Sequence, residues 1–292
     1  MKSMSTLAAA GLALGLLASN VSAAPTFALA GGYTGEIEIK FGNFESFANL
    51  TGGQIAPGSV NFGTLNITSV ENPLLATQLW NTGVNGAELT GVFGGINVSS
   101  VTPSGIGGVD ILSTGGVLDI YINPLGSFAA QGGYTQGLGG YAAGGCGIGG
   151  QCYNGISNVV GGELFLSLEW VPGVSLVDPT ATVAGNFTQA TFPATGTAQG
   201  FLRVVGGAYA SNFDTDGFLG GAADMFAQND FCTPGQQGCV STAAAGGLPP
   251  GGWQLRSNDP VRAFFVPEPG SLALIGLGLS AFGFAGNRRR KA

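Results

Sequence analysis

The sequence predicts an all-β protein, an antiparallel sandwich or jelly-roll-like domain with long glycine-rich loops, set between an N-terminal signal helix and a single C-terminal transmembrane helix. Three observations carry that expectation. Short stretches alternate polar and apolar residues, glycine-containing pairs punctuate them, and no segment between the two ends sustains a helical period. Only 9% of the 292 residues are charged, against roughly 25% in an average domain. Apolar residues reach 45%, enough for a core, so Asn, Thr, Ser, Gln and Gly must supply most of the surface.

The chain opens with Lys2, an apolar run from Leu7 to Ala18, and Val21-Ser22-Ala23. One positive charge, about a dozen apolar residues and a small-residue site make a secretory signal peptide over residues 1–23, removed by signal peptidase. The run is too short for a membrane span, which needs about 20 residues.

Residues 24–265 form the expected extracytoplasmic β domain. In its first strand Glu36, Glu38 and Lys40 face one way and Ile37, Ile39 and Phe41 the other. Leu118, Ile120 and Ile122 alternate with Asp119 and Tyr121, and Leu164, Leu166, Leu168 and Trp170 line the core side of a third strand. Phe201 to Val205 is a further strand candidate. The best helix candidate is short, from Gly221 to Gln228. The glycine-dense stretch 126–155 is expected as a long loop. In an exported protein Cys146, Cys152, Cys232 and Cys239 are expected as disulfides. Neighbourhood pairs Cys146 with Cys152 and Cys232 with Cys239, while four cysteines allow three connectivities.

Charge and missing residue types exclude function classes. Residues 24–266 hold four bases (Lys40, Arg203, Arg256 and Arg262) against fifteen acids, a surface that repels nucleic-acid phosphates. Histidine is absent, which removes the commonest general base and metal ligand. The chain is therefore read as a non-enzyme with no required cofactor. The alternative is a secreted hydrolase of matrix polysaccharide, with carboxylates as its only available catalysts. Asp214 and Asp216 precede Gly217 and resemble part of a Ca²⁺ loop. The following positions, Phe218 and Met225, fail the full EF-hand pattern, and an ordinary Asp/Gly turn explains the pair better. Asp224 and Asp230 lie near enough in sequence to join them. Trp80, Trp170 and Trp253 are candidate sugar platforms, with Trp170 better suited to the core.

Residues 266–292 carry Pro267-Glu268-Pro269, an apolar segment from Ser271 to Ala285, and the cluster Arg288, Arg289, Arg290 and Lys291. Fifteen helical residues span about 22 Å of a ~30 Å hydrocarbon core. The span is short, and the four cations hold its end on the cytoplasmic side. This three-part order closely resembles the PEP-CTERM sorting signal of Gram-negative bacteria. The resemblance implies that Pro267, Glu268 and Pro269 are recognition residues for an exosortase, a membrane cysteine protease. It further implies a transient single-pass anchor, then a cell-surface or extracellular protein of biofilm or floc matrix in contact with exopolysaccharide. Gly206-Gly207-Ala208, Phe213 to Phe218, Ala223 to Phe226 and Ser257 to Val261 also resemble flocculation-associated PEP-CTERM proteins.

Overall fold

The computed structural model describes residues 25–105, 107–128, 159–233 and 254–266. The signal segment and the tail beyond Val266 lie outside them. Among the described residues no helix is long and apolar enough to cross a membrane. Eleven strands follow in order: β1 (Gly35–Ala48), β2 (Val60–Asn72), β3 (Thr77–Asn81), β4 (Ala87–Pro103), β5 (Val109–Thr114), β6 (Val117–Pro124), β7 (Glu163–Val171), β8 (Val183–Phe187), β9 (Thr195–Gly206), β10 (Met225–Cys232) and β11 (Leu255–Phe265). One short helix, α1 (Ala210–Phe213), precedes β10. The class is all-β and antiparallel, as the alternation predicts.

The sheet closes on itself. β1 pairs with β2 on one edge and with β11, the last strand, on the other. β2 continues to β4. The first half of β4 pairs with β6 and the second half with β5. β6 and β5 then pair with β7 and β8, which share one edge of β9. β10 joins β9 to β11 and completes the ring. Either route passes through eight strand positions, taken in chain order, so the connectivity is a meander and the two faces of a sandwich become opposite walls of one barrel. Closure satisfies the backbone groups that an open edge would expose. β3 is an addition, a hairpin strand on the end of β2.

Local chemistry explains the split strand position. Gly115 and Gly116 adopt φ values of 71° and 106°, open to glycine at little cost. A Cβ on Gly116 would lie 2.4 Å from Trp170 Cδ1 and 2.7 Å from Ile96 Cγ1. The pair offsets β5 from β6 so that both continue along β4.

The inward set is apolar. Ile37, Ile39 and Phe41 of β1 join Leu118, Ile120, Ile122, Leu166, Leu168 and Leu202 in the main core. Glu36, Glu38 and Lys40 face outward, where Lys40 Nζ lies 2.8 Å from Glu71 Oε2 and 3.7 Å from Glu38 Oε1. A bulge in the β6–β7 register turns Phe165 inward in place of Leu164. Phe27, Phe165, Phe213 and Phe265 pack edge-on over the barrel end where β1 starts, with Phe27 and Phe165 centroids 4.9 Å apart. At the other end Phe47, Phe187 and Phe231 pack together with Ile55 and Leu255.

Two expectations are corrected here. Gly221 to Gln228 is not a helix: its second half begins β10, because Met225, Ala227 and Phe231 alternate into the core and a period of two overrides local helix propensity. Trp80 is 1% exposed and packs 5.6 Å from Phe27, which leaves no ring face for a sugar. Trp253 and most of the stretch 126–155 lie outside the described residues.

Leu166→Ala, at a fully buried interior position, should lower unfolding free energy by about 2–5 kcal/mol. Leu74→Ala, at a side chain 86% exposed, should change it by less than about 0.5 kcal/mol. Urea titrations of the two variants check the pair.

Candidate functional site

The interior pattern of β1 changes character halfway along. After Ile37, Ile39 and Phe41 the inward positions become Asn43 and Glu45, before Phe47 restores the apolar run. Neighbouring strands add Asn61 from β2 and Ser257 from β11, opposite Asn43 in register. The Asn43 side-chain amide donates to Glu45 Oε1 at 3.2 Å. Asn61 donates to Glu45 Oε2 at 3.0 Å and to the Ser46 carbonyl at 3.4 Å. Asn43 Oδ1 accepts from the Ser257 backbone N–H at 2.9 Å and from the Ser257 hydroxyl.

These four residues form a polar belt across a mainly apolar interior. Burial pushes the Glu45 carboxyl above its ordinary 4.5, opposed by hydrogen bonds from Asn61, Ser257 and Asn43. The belt borders a cavity of about 90 Å³. Phe41, Phe93, Leu168, Trp170, Ala227 and Asn229 are among its lining residues. Sequence reasoning missed this site because its residues come from strands far apart in the chain. One signal was legible: Asn43 and Glu45 occupy inward positions in a strand that is otherwise apolar on that face.

The sequence-predicted acidic residues meet elsewhere, in the connection from α1 to β10. Carboxylate oxygens of Asp214, Asp216 and Asp224 lie within 4.8 Å of one another; Asp230, on β10, is outside that group. Asp224 is fully buried. Its Oδ1 accepts the Thr215 and Asp216 backbone N–H groups at 2.7 Å each, and its Oδ2 accepts the Val204 N–H at 2.8 Å. Asp216 takes a left-handed φ of 50°, which aspartate tolerates better than most residues. Asp224 thus ties the turn to β9. Ca²⁺ takes six to eight oxygens. Among the described residues the cluster offers the exposed carboxylates of Asp214 and Asp216 beside an Asp224 already engaged by three N–H groups. The arrangement is accounted for as a turn anchor.

Other carboxylates serve the sheet. Glu88 accepts the Gly126 N–H at 3.1 Å and the Phe128 N–H. Asp119 accepts the Ser167 hydroxyl at 2.6 Å, and Glu169 pairs with Arg203. Cys232, at the end of β10, is disulfide-bonded. Cys146, Cys152 and Cys239 lie outside the described residues, as do Pro267, Glu268, Pro269, Arg288, Arg289, Arg290 and Lys291.

Residues 265–290 match the family model of the PEP-CTERM protein-sorting motif. The chain therefore carries an exosortase sorting signal, which directs a protein to the cell surface or extracellular space of a Gram-negative bacterium. No curated protein and no solved structure matches the chain.

Two predictions follow from this geometry. Because Glu45 holds its proton more tightly folded than unfolded, its contribution to stability is full below pH 4.5 and is lost as pH rises through the raised value. Subtracting Glu45→Gln from wild type, in urea midpoints measured from pH 4 to 8, should show the wild type losing ground as pH increases. Asp224→Ala should cost about 1–3 kcal/mol for each buried N–H left unpaired. It should also release the Thr215 and Asp216 amides to rapid hydrogen exchange, whereas Asp214→Ala should not.

Proposed function

We propose that this protein is a structural or adhesive component of an extracellular matrix, a β domain that is exported and then sorted by an exosortase. The observation that carries the reading is the sorting motif at residues 265–290. In this reading signal peptidase removes residues 1–23, and the short span of 271–285 anchors the chain while Pro267, Glu268 and Pro269 are recognised. Arg288 to Lys291 keep the tail cytoplasmic during that interval. Disulfides join Cys232 to Cys239 and Cys146 to Cys152, pinning glycine-rich loops in the oxidising space outside the inner membrane.

A non-catalytic role is supported by how the acids are engaged. Glu45, Glu88 and Asp224 accept hydrogen bonds within the fold, and Glu71 and Glu169 pair with Lys40 and Arg203 on the outer wall. With no histidine in the chain, a carboxylate pair would have to do the work of a hydrolase, and these acids are committed to strand and loop contacts.

Exopolysaccharide is the partner that fits the outer wall. Phe201 of β9 and Phe226 of β10 stand side by side on the outside with ring centroids 5.1 Å apart. Arg203 follows Phe201 on the same face, and Arg262 of β11 lies opposite Phe226. Aromatic faces suit sugar rings and guanidinium donors suit sugar hydroxyls.

Deleting the exosortase in the native host should leave a heavier, membrane-retained form of the protein and reduce cell aggregation. Unchanged mass, location and aggregation would overturn the proposal. With sorting intact, Phe201→Ala combined with Phe226→Ala should lower retention of the protein on purified exopolysaccharide severalfold, beside a loss of roughly 1–2 kcal/mol of stability from the truncated half-buried pair.

A further inference from the structure

The space inside the barrel has a cause in the sequence. The wall formed by β8, β9 and β10 places Gly185, Ala198 and Ala227 around the cavity, while the rest of the lining includes Phe41, Phe93 and Leu168. Set among the larger Phe187, Leu202, Met225 and Phe231 of the same strands, these small residues leave a volume of about 90 Å³ unfilled. A single water needs about 10–15 Å³ on this measure, so the cavity accommodates several waters or one small ring. An eight-stranded barrel is the size at which the interior either fills with side chains or holds one small ligand. Phe47, Phe187 and Phe231 of the second aromatic cluster line it on that side.

Among the polar groups of the lining, Asn43, Glu45 and Asn61 are satisfied by one another and by Ser257 behind them. Trp170 Nε1 and Asn229 Oδ1 are buried and have no hydrogen-bond partner, and both residues line the cavity. A buried donor or acceptor left unpaired is costly, and these are one of each kind. A hydroxyl is the smallest group that supplies both an acceptor and a donor.

We propose that the barrel interior binds a small, predominantly apolar molecule carrying one hydroxyl group, a phenol or short alcohol, whose body fills the space beside Ala198 and Ala227 and whose hydroxyl meets Trp170 and Asn229. The lining contains no Lys or Arg to pair an anion. The site therefore selects against the carboxylate of the same shape, because its charge would be desolvated without a counter-charge.

The test is titration of the exported protein, recovered from its host, with phenol, benzene and benzoate, read by calorimetry and by the Trp170 indole N–H resonance. Phenol should saturate a single site and shift that resonance, benzene should bind about tenfold more weakly for lack of the hydroxyl, and benzoate should not bind. Asn229→Leu, which keeps the bulk and removes the acceptor, should bring phenol and benzene to near-equal affinity. Ala227→Leu should abolish both, and Ala198→Val provides a second cavity-filling variant should the first fail to fold. No saturable phenol binding to the wild type, benzoate binding as tight as phenol, or a phenol preference untouched in Asn229→Leu would each overturn the proposal.

Discussion

The pairing of the first strand with the last is the interaction on which the rest depends. β1 and β11 are more than two hundred residues apart in the chain, yet they run in register from Gly35 opposite Phe265 to Glu45 opposite Leu255. With that seam made, one surface of the sheet becomes an interior and the period-two pattern acquires a meaning. Ile37 and Val261 are buried by the same act that leaves Glu36 and Arg262 outside. Without it, two long edges would be left with unpaired backbone groups and the aromatic clusters at the rims would lose one wall.

Closure also explains how a chain with so few charges folds to a single pattern. Register in a sheet is set by which residues must be buried, since a slip of one residue exchanges the two faces. Here the inward set of β1, β6 and β7 is apolar enough to specify register, and bulges at Lys40/Phe41 and Ile120/Tyr121 adjust it locally. The polar belt at Asn43 and Glu45 is a departure from that rule. It breaks the apolar pattern of β1 and is compensated by amide and hydroxyl partners from β2 and β11, so its cost falls on the region bordering the cavity.

Much of the fold was legible in the sequence, and the reason is local. Alternation in Glu36 to Phe41 and Leu118 to Ile122 translates directly into inward and outward faces. The pairing partners were not legible, because closure is a property of residues far apart, and a sandwich and a barrel share the same strand alternation. Residues 221–228 illustrate the competition: their composition allowed a helix, and Met225, Ala227 and Phe231 found a core at spacing two. Of the site residues, Asp214 and Asp216 were visible as a pair, and the fold adds Asp224 as the anchor of their turn. Trp170 was expected in the core and packs against it, with its indole N–H unpaired. The cavity was illegible because no local pattern announces that Gly185, Ala198 and Ala227, from three different strands, border one volume.

The sorting signal and the barrel are separate devices in one chain. The signal at 265–290 begins at the final residue of β11, so the strand that closes the barrel also leads to the tail. Amide hydrogen exchange along β1 tests that seam most directly, because alternate N–H groups point to β2 and to β11. Equal, slow exchange for both sets is the result expected of a closed barrel. Rapid exchange confined to the amides that face β11 would show an open sheet and contradict it.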